Sequence, residues 1–247
     1  MKNIGPLITT NMRNNLRSKT VVIIWYGTAL MILVALAALF GILLITPELN
    51  KLSPDKAKLE LYLGIIMFSA SALGLGINLN ALGFTSMIKE KSRGNIQSLL
   101  AAPLRLRDIW MGKSLAIFIP GLILGELLTL ITLIVVNYIY FVPKVGFVFS
   151  LWIAVTGFFA IPLIYFCLGL LVYLVGLTGK PVNANIIAQA FLPIYLNIII
   201  QILIRTTIFD VSSWTFTLTN IGFALVIAII VIILQFRISK EKVVLSY

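Results

Sequence analysis

The chain has 247 residues, 60% of them hydrophobic and 11% charged, with a net charge of +11 and a mean hydropathy of +1.09. A soluble domain carries about 25% charged residues, so this composition excludes a globule wetted on all sides and makes the bilayer the main solvent. Histidine is absent and Cys167 is the single cysteine, which excludes an intrachain disulfide, a cysteine metal cluster, Ser-His triads and most zinc sites.

Ile4, Leu7, Ile8, Met12 and Leu16 recur at helical spacing, with Asn11, Arg13, Asn14 and Arg17 between them. This pattern predicts an amphipathic interfacial helix within 1–20, lying on the inner leaflet. The apolar run from Val21 to Ile45 follows. It is long enough to span, whereas a secretory signal core is about 7–15 residues, so it reads as an anchored first helix.

Crossing ~30 Å of hydrocarbon at about 1.5 Å per residue takes about 20 apolar residues. Six stretches qualify: 21–45, 61–87, 115–140, 148–177, 186–204 and 220–236. Between them lie a polar loop (46–60), a basic segment (88–114), turns at Pro143-Lys144 and Gly179-Lys180-Pro181, and a polar stretch (205–219). No soluble domain is inserted, so residues 1–247 read as one all-α membrane domain.

Of the 19 Lys and Arg residues, five (Lys51, Lys56, Lys58, Lys144 and Arg205) fall on one side of these spans and the other fourteen on the opposite side. Basic residues collect on the cytoplasmic side. The count therefore predicts a multi-pass protein of the cell (inner) membrane with both termini in the cytoplasm. The positive charge is assigned to membrane lipid headgroups and topology, not to nucleic acid.

Segment 88–114 is far longer than the about 2–8 residues of an ordinary helix connection. Ile96, Leu99 and Leu100 fall at i, i+3 and i+4, which predicts a short helix with one apolar face, ended by Pro103. A second helix is expected to start near Leu104, with Asp108 in its first turns, and to run into the third span. A short amphipathic helix at the membrane surface either lies on lipid or inserts into a groove of a soluble partner, and periodicity does not choose between these.

The run Lys89-Glu90-Lys91-Ser92-Arg93-Gly94-Asn95-Ile96-Gln97-Ser98-Leu99-Leu100-Ala101-Ala102-Pro103, followed by Gly112-Lys113, resembles the signature segment of ABC type-2 transporter permeases. Those proteins carry a charged run, a Gly, a short helix ending Leu-Leu-Ala-x-Pro, and Gly-Lys at the foot of the third span. The resemblance implies the membrane-spanning subunit of an ATP-driven exporter, with 88–114 as its cytoplasmic coupling segment. Glu90, Gly94, Ile96, Leu99 and Leu100 would contact a separate cytoplasmic ATP-binding-cassette ATPase. That partner would bind ATP and Mg and hydrolyse the ATP, while this chain would bind no cofactor and perform no catalysis. A second permease copy, identical or related, is implied because family transporters carry twelve spans. Ser92, Asn95, Gln97 and Arg105 depart from the commoner residues of the motif.

Gly112-Lys113-Ser114 matches the end of a phosphate-binding loop, but position 107 is Arg instead of Gly, so the motif fails. Ala70/Gly74 and Ala72/Gly76, spaced by four, predict close helix packing, as do Gly121 and Gly125. Glu126 is the one carboxylate inside an expected span. It reads either as a substrate-pathway or proton site, or as a structural carboxyl at a helix interface. The lack of an opposite charge in neighbouring spans favours the structural reading.

Asn78, Asn80, Asn137, Gln189, Asn197 and Gln201 are expected to hydrogen-bond between helices. Pro120, Pro162 and Pro193 are expected to kink three spans. Trp25, Tyr26, Trp110, Trp152 and Trp214 read as an interfacial aromatic belt. A gradient-driven transporter or channel is the alternative function, and Glu126 alone meets its need for a midplane ionisable group.

Overall fold

The structure, a computed structural model, describes residues 4–17, 19–80, 105–180, 182–191, 194–195, 214–236, 238 and 243. These residues are overwhelmingly helical and contain no strand. The long helices are α1 (Ile4–Asn15), α2 (Lys19–Phe40), α3 (Lys56–Asn78), α4 (Leu106–Val136), α5 (Ile161–Thr178) and α6 (Trp214–Gln235). Residues 182–191 form a further helical stretch between α5 and α6.

Three of these helices adjoin π turns. Gly41–Ile45 carries α2 into Thr46–Leu49, Asn137–Phe141 extends α4, and Thr156–Ala160 links Leu151–Val155 to α5. Two of the turns precede a proline, Pro47 or Pro162, in the first turn of the next helix. A proline ring clashes with the carbonyl four residues back in an α-helix, and the wider π turn relieves that clash. Pro120 lies inside α4 itself.

Among the described residues, five continuous helical segments are long and apolar enough to cross a membrane: Val22–Leu49, Lys56–Asn78, Leu106–Phe141, Leu151–Thr178 and Trp214–Gln235. The chain is a multi-pass membrane protein. The expected span at 186–204 is helical at its described residues, 186–191 and 194–195, and the remainder lies outside the described residues.

Helices outrun the apolar stretches that mark them. The expected polar loop at 46–60 shrinks to 50–55, because α2 continues to Leu49 and α3 begins at Lys56. Asp55 caps α3 by accepting a 3.0 Å bond from the Ala57 N–H. Likewise Trp214–Thr219, read as part of a polar stretch, is the first turn and a half of α6. There Thr217 is fully buried, sharing a 2.7 Å hydroxyl pair with Thr156 and donating to the Trp152 carbonyl at 3.2 Å. Hydropathy reports what hydrocarbon covers, whereas helices continue beyond it until a cap or a turn stops them.

Cross-links fix the antiparallel order of the bundle. At one end Lys144 Nζ donates to Asn50 Oδ1, joining the loop after α2 to the turn after α4. At the other end Arg107 Nη2 donates to Gln235 Oε1 at 2.9 Å, joining the start of α4 to the end of α6. This second end, which also carries α1, is called the foot.

The core centres on α3, which is buried from Ile66 to Asn78. Its closest neighbour is α4. A Cβ on Gly74 would lie 2.6 Å from the Gly125 Cα, and one on Gly121 would lie 3.0 Å from the Asn78 Cβ. The expected close packing at these small residues is therefore present. An aromatic stack ties Phe191 and Tyr195 to the bundle: Tyr195 stands 5.2 Å from Phe191 and 5.5 Å from Phe223, centroid to centroid, and its hydroxyl donates to Asn220 Oδ1.

Two members of the expected aromatic belt are core residues instead. Trp110 is 2% exposed, and its indole N–H donates to the Leu170 carbonyl at 3.0 Å. Trp152 is buried against Gly64. Trp25 and Trp214 are exposed, as a belt requires.

Candidate functional site

The segment that carries the family resemblance is described only from Arg105 onward; Glu90, Gly94, Ile96, Leu99 and Leu100 lie outside the described residues. Arg105 is extended and serves as N-cap of α4, whose first turn holds Asp108. The helix then runs 31 residues, through the basic foot and into the apolar span. The expected second helix is thus present, and it is continuous with the third span.

The place of Gly112 follows from its neighbours. A Cβ there would lie 2.6 Å from Leu7 Cδ2 and 3.7 Å from Ile4 Cγ2. The N-terminal helix α1 therefore seats its apolar side on the foot of α4, through the notch that Gly112 leaves. Ile4, Leu7, Ile8 and Met12 are half-buried, whereas Pro6, Thr9, Arg13 and Asn14 are exposed. The expected amphipathic stripe is correct, and part of it meets protein.

Gly112-Lys113-Ser114 lies within α4, and all three residues are buried. A phosphate-binding loop offers successive backbone N–H groups to its ligand. Here those groups sit in a continuous helix, where the N–H groups beyond the first turn bond to carbonyls of the preceding turn. This tripeptide cannot cradle a nucleotide phosphate.

Beside the foot of α4 lies a groove of about 730 Å³. Leu115, Phe166, Val231 and Ile232 form apolar walls, and Arg105 and Arg107 stand at its rim. Gln235 holds the Arg107 guanidinium, and the Trp110–Leu170 bond fixes the floor. Sequence reading missed this groove, because it brings together positions 128 residues apart.

A second, small cavity of about 20 Å³ lies between α3, α4 and α5. Ser114 and Tyr165 line it, and their hydroxyl oxygens are buried without a hydrogen-bond partner among the described residues. Glu126 lies elsewhere, one residue after the Gly74–Gly125 contact. It is half-buried and has neither hydrogen bond nor ion pair among the described residues. Its neighbours Ile123, Leu127 and Leu130 are exposed, which places the carboxyl at the edge of an apolar face.

The in-span amides behave unevenly. Asn78 joins α3 to α2 by donating to the Tyr26 hydroxyl at 3.2 Å. Asn80 and Asn137 donate to carbonyls of their own helices, and Asn137 Oδ1 accepts from the Val148 N–H at 2.7 Å. Gln189 is exposed, and Asn197 and Gln201 lie outside the described residues.

Comparison of the chain with protein-family models, curated proteins and solved structures finds no match in any of the three.

Proposed function

We propose that this chain is the membrane-spanning permease subunit of an ATP-binding-cassette exporter of the type-2 class. It sits in the cell membrane with both termini in the cytoplasm, acts beside a second permease copy, and is driven by a separate ATPase subunit that binds ATP and Mg. The observation that carries this reading is the match of Lys89 to Pro103 and Gly112-Lys113 to the family's coupling segment.

Two structural features support it. First, α4 joins the end of that segment to the third span as one continuous helix from Leu106 to Val136, so a push on the segment is passed to the span through the same element. Second, Gly112 admits Leu7 and lets α1 brace that helix at its foot. Rigid-body motion of packed helices is how such a push becomes a change of access.

Mild-detergent purification from native membranes tests the reading: a co-purifying subunit with a phosphate-binding loop is expected, and its absence under every extraction condition would remove the proposal. A gradient-driven transporter is the second reading, and what favours it is that the half-buried Glu126 lacks, among the described residues, the hydrogen bond that a structural carboxyl would make. Under that reading Glu126→Gln folds normally but abolishes gradient-dependent uptake or efflux.

A further inference from the structure

We propose that the groove between the foot of α4 and the end of α6 binds an acidic phospholipid, with its phosphate at Arg105 and Arg107 and its upper acyl chain along Leu115, Val231 and Ile232. The inference rests on this groove and is independent of the permease reading.

The groove is amphiphilic along its length. Its walls are hydrocarbon, and its rim carries two guanidinium groups against one carboxylate, Asp108. Neither arginine is ion-paired among the described residues. Arg107 spends one N–H on Gln235, which orients the guanidinium and leaves its other donors for phosphate oxygens. The rim stands where α4 begins and α6 ends, so it lies at the level where apolar span gives way to polar headgroup. Basic pockets of this kind between membrane helices take anionic headgroups.

Net charge and shape select the occupant. A small soluble anion would satisfy the rim but leave the apolar walls wet. A zwitterionic lipid would cover the walls but bring its own cation to a positive rim. An acidic phospholipid matches both.

The test is native mass spectrometry and thermal melting of the full chain in detergent, with added phosphatidylglycerol, phosphatidylcholine or inorganic phosphate. Phosphatidylglycerol alone should remain bound and raise the melting temperature. An Arg105→Gln/Arg107→Gln variant should weaken that binding by roughly an order of magnitude, from the known attraction of each basic residue to anionic lipid. Ile232→Trp, which fills the groove and spares the charges, should weaken it too and guards against misfolding of the arginine variant. Equal retention of phosphatidylcholine, an equal shift with phosphate alone, or unchanged binding by folded variants would overturn the proposal.

Discussion

Gly74 and Gly125 meet backbone to backbone: a Cβ on Gly74 would lie 2.6 Å from the Cα and 2.7 Å from the amide nitrogen of Gly125. Backbone cannot swing aside as a long side chain can, so this contact sets the separation of α3 and α4. In hydrocarbon, where helices gain little from mutual hydrophobicity, such close approach is a main source of attraction.

Alanine at Gly74 is therefore expected to force the helices apart and cost about 1–3 kcal/mol, the usual penalty of overpacking. Gly27 is the control, since a Cβ there meets nothing within 4 Å. Thermal melting in detergent should fall for Gly74→Ala and hold or rise slightly for Gly27→Ala. Equal behaviour of the two variants would mean that α3 and α4 do not pack through these glycines.

Gly112→Val should fill the notch that receives Leu7 and release α1 from the foot of α4. Limited proteolysis reads this directly, through faster cleavage near Arg13 and Arg17. Leu7→Ala should loosen the same contact to a smaller degree and leave the spans intact.

Two buried tyrosines should respond in opposite directions to loss of the hydroxyl. Tyr165 Oη has no partner among the described residues, so Tyr165→Phe removes a desolvated group and should stabilise by about 1 kcal/mol. Tyr195 donates to Asn220, so Tyr195→Phe leaves a buried acceptor short and should destabilise by about 1–3 kcal/mol. Paired melting curves decide the matter.

Glu48 Oε2 lies 2.6 Å from Lys51 Nζ, and this hydrogen bond holds the Lys51 ammonium above its ordinary value of 10.5. The folded state favours the protonated form. While Glu48 is ionised, the pair's contribution is thus fully present below the ordinary lysine value and is lost as pH rises through the raised one. Lys51→Met should melt slightly below wild type at neutral pH, and the gap should close in strong alkali.

Five of the six expected spans were legible because an apolar run of such length is stable in hydrocarbon and in little else, and the α1 stripe because its residues keep strict helical spacing. Gly74 and Gly125 were legible as small residues in membrane helices, though not as partners. Trp110 was misread, since nearness to the end of an apolar run suggests an interface. Its indole is buried because α4 continues past that run and the Leu170 carbonyl waits across from it. The groove was illegible for a related reason: Arg107 and Gln235 become neighbours only when the last helix packs beside the third span.

The proposed coupling of segment 88–114 to an ATPase is tested by purification and activity together. The protein is purified from native membranes as wild type and as Ile96→Asp/Leu99→Asp, with melting curves confirming that both are folded. ATP hydrolysis in the eluate is then compared. The account predicts hydrolysis that follows the wild type and is lost from the variant. Equal activity in both eluates, or none with the wild type, would contradict it.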